Sequence, residues 1–137
     1  MENSSHSKSI LCVEDDRDTC AIFSILFAGY EFVSAYDLKE AFALIGKRDF
    51  DLYILDNWLP DGSGVDLCRA IRAKNTEVPI IFVSGVAYEK YIHEAKEAGA
   101  TKYLVKPCDV DVLEKLVKEL LEKSSAEARD IPARNVF

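Results

Sequence analysis

The chain has 137 residues, 49% hydrophobic and 30% charged, which is enough apolar material for one compact domain and too much for a disordered chain. Its 17 Lys and Arg against 24 Asp and Glu give a formal charge of -7, a balance that disfavours nucleic acid and anionic membranes as direct partners. No apolar run approaches the ~18 residues of a membrane span, and Met1 to Ser7 lacks a signal-peptide core, so the composition predicts a cytoplasmic protein that works through protein contacts.

Residues 1–8 are polar and Ser-rich and are expected to form an N-terminal tail. An apolar run from Ser9 to Val13 reads as a strand and ends in Glu14-Asp15-Asp16, ahead of a helical period from Arg17 to Ala28. A second strand, Glu31 to Ala35, precedes a helix from Leu38 to Gly46, with Asp37 at the capping position. The third strand, Leu52 to Leu55, ends on Asp56, and Pro60 to Gly64 turn the chain into a helix from Gly64 to Ala73. Pro79 to Val83 is the fourth strand, ending at Ser84-Gly85, and Tyr88 to Ala98 the fourth helix. Lys102 to Val105 is the fifth strand, ending at Lys106-Pro107, followed by Asp109 as a cap and a helix from Val110 to Lys123. Gly29, Gly46 and Gly99 stand where helices are expected to stop. Residues 124–137 lack a clear period and are expected to form a frayed C-terminal tail, the alternative being that Val136-Phe137 is a docking peptide.

Strands alternating with helices five times predict an α/β fold, a doubly wound (βα)5 three-layer sandwich around a five-stranded parallel sheet. One domain over 9–123 accommodates it. In such sheets ligands bind outside the carboxyl ends of the strands. Four of the five ends carry polar groups, and the second, Ala35-Tyr36, does not. Placing the second strand at an edge gives the order 2-1-3-4-5 and makes the four polar ends converge.

Three carboxylates brought together raise each other's pKa unless a cation sits among them. Mg2+ suits the site, because it takes oxygen ligands, keeps several waters, and uses one or two carboxylates with a phosphate oxygen. Ser84 and Lys106 add a hydroxyl and an ammonium suited to phosphoryl oxygens. Asp56, ending the central strand, is then the nucleophile of a phosphoryl transfer. Taken singly, each residue has an ordinary role: Glu14-Asp15-Asp16 as a helix-start charge cluster, Asp56 as a turn initiator, Ser84-Gly85 as a turn, Lys106 as a solvated lysine. Their occurrence together at the strand ends argues for a site.

With these residues in hand, the stretch from about Ser9 to Lys123 resembles the receiver domain of two-component response regulators, a CheY-like, flavodoxin-like fold. The resemblance rests on the acidic pair after the first strand, Asp56 with Leu59-Pro60 and Gly64 behind it, Ser84-Gly85, and Lys106-Pro107. It implies that Asp56 is the phosphoacceptor for a histidine kinase or phosphotransfer protein. Asp15, Asp56 and the backbone carbonyl of Trp58 would bind Mg2+ directly and Glu14 through water, while Asp16 caps the following helix. Ser84 and Lys106 would bind phosphoryl oxygens, and Ser84 with Tyr103 would form the switch, the tyrosine ring turning inward as Ser84 moves. Such a protein is a phosphoacceptor with slow self-dephosphorylation and not a turnover enzyme. Trp58 occupies a position that varies in the family, and its bulk over the mouth of the site is expected to slow hydrolysis of the phosphoryl group.

Output would come from an unidentified downstream protein, from a kinase using the domain as a relay, or from self-association into a homodimer. No DNA-binding region is evident after Lys123. Two other classes compete. A haloacid dehalogenase-type phosphohydrolase needs a second aspartate two residues after the nucleophile, where this chain has Trp58, and Asp16-Arg17-Asp18 has that spacing but lies past the strand end. A phosphate-independent scaffold would have lost site residues, and here all are filled.

The four cysteines, Cys12, Cys20, Cys68 and Cys108, form no CxxC pair and are expected to be reduced thiols. His6 and His93 are expected on the surface and not as phosphotransfer groups. Asn3-Ser4-Ser5 matches a glycosylation sequon by chance.

Overall fold

The computed structural model describes residues 7–122 and Phe137; the Asn3 sequon, His6, Lys123 and Val136 lie outside the described residues. In chain order the elements are β1 (Ser9–Val13), α1 (Arg17–Leu26), β2 (Glu31–Ala35), α2 (Leu38–Lys47), β3 (Leu52–Leu55), β4 (Trp58–Leu59), β5 (Gly62–Ser63), α3 (Gly64–Lys74), β6 (Ile80–Ser84), α4 (Glu89–Glu97), β7 (Lys102–Val105) and α5 (Val110–Glu122).

β1, β2, β3, β6 and β7 pair in parallel in the order β2-β1-β3-β6-β7, which is the expected 2-1-3-4-5 counted over the sheet strands alone. Alternate residues of a strand point to opposite faces, and the core divides accordingly. Ile10, Cys12, Leu52, Ile54, Ile81, Val83 and Leu104 meet Phe23 of α1 and Leu113, Leu116, Val117 and Leu120 of α5. Leu11, Val13, Tyr53, Leu55, Ile80, Phe82 and Tyr103 meet Leu38, Ala41 and Ile45 of α2, Leu67, Cys68 and Ile71 of α3, and Ala95 of α4. Each Val, Leu, Ile or Phe among them taken fully out of water is worth about 1.5–3 kcal/mol, so the two clusters fix the register of the strand ends. No described helix is long and apolar enough to cross a membrane.

The expected caps form. Asp16 accepts from the Asp18 N–H at 3.3 Å, Asp37 from the Glu40 N–H at 2.8 Å, and Asp109 from the Asp111 N–H at 2.8 Å. Gly99, at φ 110°, follows α4 as expected. Gly46 instead lies inside α2, one residue short of its end at Lys47. α1 stops at Leu26 and not Ala28, because Phe27 leaves the helix to put its ring among Phe23, Tyr30 and Phe32. β6 begins at Ile80 and not Pro79, which has no N–H to give a ladder. The hairpin β4–β5 was not expected, since two paired residues on each side, Trp58 with Ser63 and Leu59 with Gly62, are too few to show a period.

α4 is the least anchored helix. It fully buries only Ala95, and its first residues have no side-chain cap, whereas α3 buries five residues. A helix that buries so few side chains gives up little apolar burial when it shifts.

Candidate functional site

The polar strand ends meet as expected. β1 delivers Glu14 and Asp15, and β3, at the sheet centre, delivers Asp56, whose N–H bonds the Val13 carbonyl at 2.9 Å. Carboxylate oxygens of Glu14, Asp15 and Asp56 lie within 4.8 Å of one another. Lys106, just beyond β7, hydrogen-bonds its Nζ to Glu14 Oε1 and to Asp56 Oδ2, the latter at 3.2 Å. Ser84, at the end of β6, is 0% exposed, and its Oγ accepts from the Val86 N–H at 3.2 Å. A cleft of about 330 Å³ opens above Asp56, Ser84 and Lys106 between Trp58 and Tyr88.

Three carboxylates face one ammonium, and two of the acids, Glu14 and Asp56, are only 3% and 7% exposed. Burial pushes the Glu14 carboxyl above its ordinary value and the Asp56 charge adds to this, against the Lys106 and Asp16 N–H bonds that favour its ionised form. Burial alone would lower the Lys106 ammonium, but its bonds to Glu14 and Asp56 outweigh this and hold it above the usual lysine value. Three carboxylates set against one ammonium leave the cluster with more negative charge than its side chains neutralise, so it favours added positive charge.

The backbone after Asp56 is tightly specified. The Gly64 N–H closes on the Asn57 carbonyl at 2.8 Å, and a Cβ on Gly64 would collide with the Asp56 carbonyl oxygen, so only glycine allows this approach. Because the Gly64 N–H donates to the Asn57 carbonyl, the adjoining Trp58–Ser63 pair falls at a non-hydrogen-bonded position of the antiparallel ladder. The Trp58 carbonyl is therefore left out of the hairpin. Its indole is 55% exposed and stands edge-on to Tyr91 of α4, with centroids 5.6 Å apart.

Tyr103 is completely buried. Its ring stacks on Phe82 at 5.6 Å and its hydroxyl donates to the Val86 carbonyl at 2.6 Å. Two residues went unnoticed in the sequence. Asn57, 1% exposed, donates its amide to the Tyr103 hydroxyl at 3.4 Å and accepts from the Ser63 hydroxyl at 3.0 Å. The one available signal was an amide directly after Asp56 at the end of an apolar strand. Asp61, in the hairpin turn, accepts from the Leu38 and Lys39 N–H groups at 2.8 and 3.1 Å and so ties the hairpin to the start of α2.

Other assignments resolve simply. Asp16 caps α1 and stands apart from the acidic trio. All four cysteines are free thiols, and burial pushes the Cys68 thiol up to about 11. His93 is exposed on α4. Phe137, expected in a frayed end, instead packs its ring 6.2 Å from that of Tyr103.

The chain matches the family model of the response regulator receiver domain over residues 10–118. It is 34% identical over 126 residues to the transcriptional regulatory protein ZraR of Salmonella typhimurium, an alignment covering 90% of this chain and 28% of that protein. The chain thus spans little more than a quarter of that relative's length. Among solved structures, a CheY-like response regulator receiver domain protein from Methanospirillum hungatei superposes with a TM-score of 0.83 at 30% identity, covering 89% of this chain and 99% of that one. The beryllofluoride-activated NtrC4 receiver domain, solved as a dimer, superposes with a TM-score of 0.76 at 28% identity, covering 83% and 96%.

Proposed function

The chain belongs to the response regulator receiver domain family of two-component systems, and from that premise we propose that it is a switch set by phosphorylation of Asp56. The observation that carries this reading is the placement of Lys106 between Glu14 and Asp56, with Ser84 and the open cleft above them. A carboxylate oxygen of Asp56 attacks the phosphorus of a phosphohistidine on a kinase or phosphotransfer protein. The new P–O bond forms as the P–N bond breaks, and the imidazole leaves and takes a proton. Lys106 exchanges part of its carboxylate contact for one phosphoryl oxygen, and the Ser84 hydroxyl donates to another.

The donor set is all oxygen, is in excess negative charge, and includes one exposed carboxylate, Asp15, which fits Mg2+. Asp15, Asp56 and the Trp58 carbonyl would hold the ion, and Glu14 would reach it through water. When bound it would neutralise charge between Asp56 and the incoming phosphoryl group.

The donor protein docks beside the site. Ile22, Ile25 and Val110 are exposed apolar residues, and a cleft of about 440 Å³ lined by Ile22, Phe23, Lys106, Cys108 and Val110 runs up to the phosphoryl-binding lysine. The signal leaves through α4, the least anchored helix, which Trp58 touches through Tyr91 and which precedes Tyr103 of β7. Phosphorylation biases two existing arrangements of this region and so changes its protein contacts, with a downstream protein or with a second copy.

Incubation with acetyl phosphate and Mg2+, followed by intact-mass measurement, tests the reading. One added phosphoryl group that is absent in Asp56→Asn supports it. Continuous release of inorganic phosphate in large excess over protein would favour a phosphohydrolase.

A further inference from the structure

Tyr103 lies on β7, the edge strand of the sheet, where a ring has neighbouring strands on one side only. Yet it is 0% exposed. Phe82 on β6 covers one side, stacked within 5° of parallel. Phe137 supplies a second cover, its centroid 6.2 Å from that of Tyr103 at 38°, inside the separation at which aromatic pairs attract. Phe137 is half-buried against the same apolar cluster, and the Lys96 ammonium at the end of α4 lies 5.6 Å over its ring.

We propose that Phe137 is an intrachain occupant of the α4–β7 edge, where its ring caps Tyr103 and favours the inward position of that ring. The inward ring is held at its far end by the Val86 carbonyl and the Asn57 amide and at its outer side by Phe137. Losing the cap exposes apolar surface on Tyr103 and removes part of the preference for the inward state. The regulatory meaning rests on the reading of Tyr103 as the switch residue. Coupling is reciprocal, so whatever favours inward Tyr103, phosphorylation of Asp56 included, seats Phe137 more firmly. A downstream partner that uses this edge must first displace it.

The test is NMR on the full chain without phosphodonor or Mg2+, which keeps it independent of whether Asp56 accepts a phosphoryl group. Wild type is expected to show cross-relaxation between the Phe137 and Tyr103 rings, and ring-current shifts on the Lys96 side chain. In Phe137→Ala the Lys96 shifts disappear and the Tyr103–Val86 contacts weaken; in Phe137→Leu, which keeps an apolar cap, the Tyr103–Val86 contacts are largely retained. Absence of the ring-to-ring signal in wild type, or Tyr103–Val86 contacts equally strong in Phe137→Ala, overturns the proposal. A signal found only between labelled and unlabelled chains in a mixed sample overturns it too, because it would assign the cap to a second copy.

Discussion

The side chain of Asn57, the residue next to Asp56, is hydrogen-bonded to the hydroxyl of Tyr103, 46 positions away in sequence. This buried amide connects the end of the central strand to the Tyr103 ring through one side chain, and it is itself fixed by Ser63 at the start of α3. Substituting Asn57→Ala leaves the Ser63 and Tyr103 hydroxyls each short of one partner, at a cost of about 1–3 kcal/mol. Urea denaturation should show this loss. The signals of Tyr103 should also broaden or shift toward an outward ring, and a variant with wild-type stability and an unmoved Tyr103 would remove Asn57 from the link.

Lys106 is the cation the site supplies for itself, bonded to both Glu14 and Asp56. Replacing it by Ala leaves three carboxylates uncompensated and should raise Mg2+ affinity several-fold while impairing the response to phosphorylation. Trp58, the sole tryptophan and a wall of the cleft, reports the titration through its fluorescence. Affinity that is unchanged or weaker in Lys106→Ala would contradict the charge account.

Trp58 forms one wall of the cleft that opens on Asp56 and packs edge-on against Tyr91 of α4. In Trp58→Ala the phosphoryl group should be lost faster, by several-fold, because water reaches it more freely. The measurement is the decay of phosphorylated protein after removal of the donor. Equal decay rates would mean that the indole takes no part in the lifetime of the signal.

Asp61 gives a pH signature away from the site. The Leu38 N–H chiefly holds its carboxyl below the ordinary value of 3.8; burial opposes this, and the Lys39 N–H adds to the lowering. A folded pKa below the unfolded one means stability that is present above about 3.8 and lost as pH falls through the lower folded value. Asp61→Asn should therefore melt below wild type near neutrality, and the gap should close under acid conditions below the carboxylate range. A gap independent of pH would show that the charge on Asp61 is not what clamps the hairpin to α2.

The sheet, its order and the converging acids were legible in the sequence because each depends on local pattern. Runs such as Ile80 to Val83 announce a doubly buried strand, and polar residues at four strand ends with none after β2 place β2 at the edge. The hairpin at Trp58 to Ser63 was hidden because four paired residues carry no periodicity. Asp61 looked like any turn aspartate, since its partners lie 22 and 23 residues away. Asn57 and Phe137 were hidden for the same reason: what each does is decided by Tyr103, distant in sequence from both. Pairwise placement across the fold is not written in the neighbours of a residue.

The central claim is that Asp56 carries the phosphoryl group, and borohydride trapping tests it at the level of the bond. Protein treated with acetyl phosphate and Mg2+ is reduced, which converts an aspartyl phosphate to homoserine, and the site is then read by peptide sequencing. Homoserine at position 56, absent without the donor or without Mg2+, is the predicted result. Homoserine at Asp15 or elsewhere, or none under conditions that phosphorylate the protein, would contradict it.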